Sequence, residues 1–69
     1  MIYLRKNIEK LAESKGIKLT SSQLSKMAFW EKQFNRGKLS EEDVKKMTVN
    51  LFRSQGVYLK SWEMNKLFR

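Results

Sequence analysis

The sequence predicts an all-α fold: a compact four-helix domain with helices over about 2–15, 20–36, 40–55 and 60–68, joined by short glycine-containing turns. Three observations carry this. One pattern recurs at 20-residue intervals, from Leu19 to Met27, Leu39 to Met47 and Leu59 to Leu67. It reads leucine, a capping position, two variable residues, Gln/Asp/Glu, an apolar residue, a variable residue, lysine, and Met or Leu. Proline is absent, and Gly16, Gly37 and Gly56 fall where each helix must stop, because glycine enters the left-handed conformation of a helix C-terminus without steric cost. Between these signals the apolar residues recur at helical spacing.

The first helix presents Leu4, Ile8 and Leu11 as its stripe and ends at Gly16. The second opens on a capping box, in which Thr20 accepts the backbone N–H of Gln23 while Gln23 reaches back to Thr20. Leu19 packs on Leu24 as a hydrophobic staple. Its arc of Leu24, Met27, Ala28, Trp30 and Phe34 is interrupted only by Glu31. The third helix repeats the device with Ser40 and Asp43, and with Leu39 on Val44; its arc holds Val44, Met47, Thr48, Leu51 and Phe52. The fourth is weaker at its start, because Lys60 has no oxygen to cap with; Ser61 is expected to cap one residue later. Met64, Leu67 and Phe68 form its apolar face. Apolar stretches at Met1–Leu4 and Val57–Leu59 are too short to displace the helical reading. Residues 1–69 make one small domain, near the size at which a single core suffices.

Composition narrows the function classes. The chain has no cysteine and no histidine, and Asp43 is its only aspartate. The seven acids leave little material for catalysis or metal binding, so a non-catalytic protein without cofactor or metal is expected. No cationic stretch leading into an apolar run follows Met1, and no apolar stretch approaches the ~20 residues of a membrane span. An intracellular, cytoplasmic protein follows. Fifteen Lys and Arg against seven acids give a net charge of +8, which favours a polyanionic partner. Nucleic acid leads, DNA ahead of RNA, and an acidic protein stands second.

The stretch Leu11-Ala12-Glu13-Ser14-Lys15-Gly16-Ile17 resembles the end of a positioning helix and the turn of a DNA-reading helix-turn-helix: a small residue, glycine four positions on, then an aliphatic residue. The resemblance implies that Thr20-Ser21-Ser22-Gln23 opens a recognition helix, with Gln23 pairing to adenine and Ser21 and Ser22 meeting bases or phosphate. The pattern is degenerate, since Leu24 comes two residues later than the compact motif requires. Lys18 and Lys26 flank this helix start, and Arg5 and Lys6 are expected as supporting phosphate contacts. A second stretch, Trp30 to Val44, is similar to the short helical hairpins of the SHOCT type, built on a Gly-x-Leu-Ser-Glu-Glu core; that resemblance implies an interaction module.

Lys6, Lys26, Lys46 and Lys66 recur at one repeat position, away from each apolar arc. With Arg5, Lys10, Lys45, Arg53, Lys60 and Arg69 they supply a candidate basic surface. Near the C-terminus aromatics mix with cations, and Tyr58 and Trp62 are placed to stack on bases or to close over the core. The alternative reading is an adaptor or inhibitor docking on a larger protein, or a homodimer. Phe29 and Val49 point away from their helices' apolar arcs, and with Trp62 they are its candidate anchors.

Overall fold

Local signals set the helix limits. The computed structural model describes residues 1–69 and contains α1 (Leu4–Ser14), α2 (Ser21–Asn35), α3 (Glu41–Arg53) and α4 (Ser61–Asn65), the last continued by a 3-10 turn at Lys66–Phe68. There is no strand. Both expected capping boxes form: Thr20 Oγ1 accepts from the Gln23 N–H and Ser40 Oγ from the Asp43 N–H, each at 3.1 Å, with the reciprocal bonds from Thr20 N–H and Ser40 N–H also made. At the other ends, the N–H after each glycine returns to a carbonyl five residues earlier: Ile17 to Ala12, Lys38 to Gln33 and Val57 to Phe52. This is the Schellman geometry. Gly16 shows why glycine is needed: its φ is 72°, and a Cβ there would meet no atom within 4 Å, so the requirement lies in the backbone and not in space.

The start of α4 differs from expectation. Ser61 is its first helical residue and does not cap; Lys60 occupies the cap position without a side-chain cap bond. What holds the turn is the Glu63 carboxylate, which accepts the Lys60 N–H at 2.9 Å. The helix lasts only five residues before tightening into the 3-10 turn.

The core is small and drawn from α1, α2, α3 and the C-terminal turn: Leu4, Ile8, Ala12, Met27, Val44, Phe52 and Leu67 are buried. In α1 the buried line runs Leu4–Ile8–Ala12 with Leu11 beside it half-buried, so the stripe lies slightly around the helix from the expected one. In α3 it runs Val44–Thr48–Phe52. Fully burying one such side chain is worth about 1.5–3 kcal/mol, which explains how so few residues hold the domain.

α1 and α2 pair as an antiparallel hairpin fastened at its open end. Asn35 accepts the Ile2 N–H at 3.1 Å and donates to the Ile2 carbonyl at 3.0 Å. Glu31 accepts the Arg5 N–H at 3.1 Å, satisfying a backbone donor in the first turn of α1. That accounts for the carboxylate interrupting the α2 arc. α2 also touches α3, and the C-terminal turn returns to α1, where Asn7 Nδ2 donates to the Leu67 carbonyl at 2.7 Å. The Phe34 and Phe68 rings pack 5.2 Å apart. The Cα radius of gyration, 10.9 Å, is close to the ~11 Å expected of a folded domain of this length. No helix is long and apolar enough to cross a membrane.

Candidate nucleic-acid interface

The positive charge is largely uncompensated. Only three ion pairs form, Arg5–Glu9, Lys15–Glu63 and Lys45–Glu42, so twelve of the fifteen cations have no carboxylate partner. The acids are scarce for this purpose because Glu31 and Asp43 accept backbone N–H groups instead. Asp43 shares the first turn of α3 with Glu41 and Glu42, whereas the first turn of α2 has no acid. An anion therefore meets repulsion at α3 and none at α2.

The residues expected to bind nucleic acid fall into two groups. Lys18, Ser21, Ser22 and Lys26 are exposed around the start of α2. Arg5 and Lys6 belong to the other end of the hairpin, because the Arg5 N–H bonds to Glu31. Gln23 and Glu31 are eight residues apart on α2, which is about 12 Å of helix. Arg5 is partly engaged, its Nε 3.9 Å from Glu9, and Lys6 lies 6.0 Å from the centre of the Tyr3 ring. Gln23 carries the capping box, its Oε1 accepting the Thr20 N–H at 2.9 Å. Bidentate pairing with adenine uses both ends of the amide, and Oε1 has a second lone pair to offer while the cap bond stands.

The candidate anchors for a protein partner separate as well. Phe29 is 57% exposed and Trp62 55%, while Val49 is half-buried. Phe29 lines a depression between α2 and α3 with Trp30, Leu39 and Met47. Val49 lines another, with Met64 at its far wall. Trp62 lines a third, between α1 and α4.

This third groove, about 350 Å³, brings together residues that the sequence did not associate: Asn7, Lys10 and Ser14 of α1 with Trp62, Glu63 and the turn residue Lys66. The Lys66 ammonium lies 4.8 Å from the centre of the Trp62 ring. Glu63 is only 6% exposed and is held by Lys15 of the α1 terminus. The hydrogen bond from Lys15 and that from the Lys60 N–H keep its carboxyl below the ordinary glutamate value, against the opposing effect of burial. The Lys15–Glu63 pair is neutral, so Lys10 and Lys66 leave the groove positive. A sequence signal existed for Glu63, as the one full-length carboxylate at the repeat position filled elsewhere by Gln23 and Asp43. No such signal linked Lys10 to Trp62. Exposed aromatics beside cations recur at Tyr3 with Lys6 and at Tyr58 with Arg53.

Compared with protein-family models, curated proteins and solved structures, the chain matches none. Its function is therefore argued from its own residues.

Proposed function

We propose that the protein is a small, non-catalytic nucleic-acid-binding factor of regulatory or accessory type, acting in the cytoplasm, with DNA ahead of RNA as its partner. The observation that carries the reading is the set of twelve cations without carboxylate partners. Lys18 and Lys26, beside Ser21 and Ser22 at the acid-free start of α2, supply phosphate contacts. Affinity of this kind comes from counterion release and falls with salt.

The test is titration of labelled duplex and single-stranded oligonucleotides at several salt concentrations. If about four phosphates are neutralised on duplex DNA, log K falls against log salt with a slope near −3.6, and Lys26→Ala reduces its magnitude by about 0.9. Absence of salt-steep binding to every form defeats the reading.

The exposure of Phe29 beside Trp30, Leu39 and Met47 favours a second reading, an adaptor whose apolar contact is the α2–α3 groove and whose charge steers an acidic protein or whose patch meets a second copy. Phe29→Ser then leaves stability within about 0.5 kcal/mol, as for a surface position, while a pulled-down partner or dimer is lost.

A further inference from the structure

We infer that the groove between α1 and α4 is a seat for one unpaired base of a single strand and its flanking phosphates, with Trp62 as the stacking platform and Lys10 and Lys66 as the phosphate contacts. The inference rests on the nucleic-acid reading above and deepens it, naming a place on the molecule and a form of the ligand. Trp62 is more than half exposed, while Glu63 beside it and Leu67 of the following turn are buried. A large aromatic left more than half exposed on the lip of a groove that also holds Lys10 and Lys66 is suited to a flat ligand, and bases stack on such rings whatever their identity. Two cations flank it, one from each wall, and neither has a carboxylate partner. The one acid in the lining is neutralised by Lys15 and bonded to the Lys60 N–H, so it does not repel a phosphate as a free carboxylate would. Duplex DNA offers no exposed base face to a side chain in such a groove, whereas an unpaired base does. An acidic peptide would satisfy the lysines but offer no flat ring to the indole.

The experiment uses the full chain carrying Trp30→Phe, so that Trp62 is its only indole, titrated with oligo(dT) and followed by tryptophan emission. Stacking quenches that emission. Trp62→Leu, in the otherwise native chain, is expected to weaken oligo(dT) binding roughly tenfold without changing the salt slope, while Trp62→Phe keeps most of the affinity. Lys10→Gln and Lys66→Gln each reduce the slope by about 0.7, the single-strand value per phosphate. Circular dichroism checks that each variant is folded; if Trp62→Leu is not, the emission of the Trp30→Phe chain decides. Salt-steep binding with unchanged Trp62 emission and unchanged affinity in Trp62→Leu overturns the groove and leaves the nucleic-acid reading standing. No binding to any nucleic acid removes both. Equal quenching by polyglutamate also overturns the inference, since the groove would then accept polyanions without bases.

Discussion

Residues 1–40 and residues 41–69 share a burial pattern and differ in what fulfils it. Leu4, Ile8 and Ala12 are buried along α1, and Val44, Thr48 and Phe52 are buried 40 residues later along α3. The contents are redistributed: a large aliphatic residue and a small one in the first half face a hydroxyl-bearing residue and a phenyl ring in the second. The helices that follow diverge more. α2 runs fifteen residues from a complete capping box and fastens itself to the chain start through Glu31 and Asn35. α4 runs five residues from a cap position that cannot cap, and is secured by Lys15 and Asn7 of α1. The first half is held mainly by contacts within its own hairpin; the second depends on the first. The lesson is that a repeated helix start sets where a helix begins, while its length and anchoring come from what it packs against.

The comparison breaks most readily at Phe52. This ring fills at α3 the place that a methyl group fills at Ala12, so Phe52→Ala removes core that the second half cannot replace. A loss of about 3–5 kcal/mol is expected, read from urea or thermal unfolding. A loss under about 1 kcal/mol would show that the second half is loosely packed.

A smaller effect, of opposite sign, is expected at Thr48. It occupies the place of Ile8, fully buried, and its Oγ1 has no hydrogen-bond partner. An unsatisfied buried hydroxyl costs about 1–3 kcal/mol, and Thr48→Val keeps the shape while removing the polar atom. A rise in stability of about 1 kcal/mol is expected by the same unfolding measurement; destabilisation would mean that the hydroxyl is bonded in solution.

The finest test concerns the tie between the halves. Because the folded Glu63 carboxyl lies below its ordinary value of 4.5, its charge contributes stability that is fully present above that value. The contribution disappears as pH falls through the lower folded value. Unfolding midpoints of the native chain and of Glu63→Gln are expected to differ by a constant amount from neutral pH down to about 5. Below that the gap narrows and closes in acid. A gap independent of pH would show that Glu63 acts through its hydrogen bond to Lys60 and not through charge.

The candidate site was legible only in its ingredients. Lys26, Ser21 and Ser22 were recognisable as solvent-facing residues of a helix start, and the structure leaves them exposed. The separation of Arg5 and Lys6 from that start follows from the antiparallel hairpin, which no spacing within either helix records. Glu31 illustrates the same limit: on its own helix it is a fault in an apolar arc, and only beside Arg5 does it become an acceptor for a backbone N–H.

What the sequence determined by itself is the all-helical class and the place of nearly every helix end. Capping boxes and Schellman turns are satisfied within six residues of chain, so their physics is local and can be read locally. What only the tertiary structure decided is the anchoring of α4, the grouping of the cations and the groove that brings Lys10 into one lining with Trp62 and Lys66. Those depend on which helix faces which, and that is fixed by burying Leu4, Met27, Phe52 and Leu67 together, a non-directional drive that leaves little trace in the spacing of charged and aromatic residues on the outside.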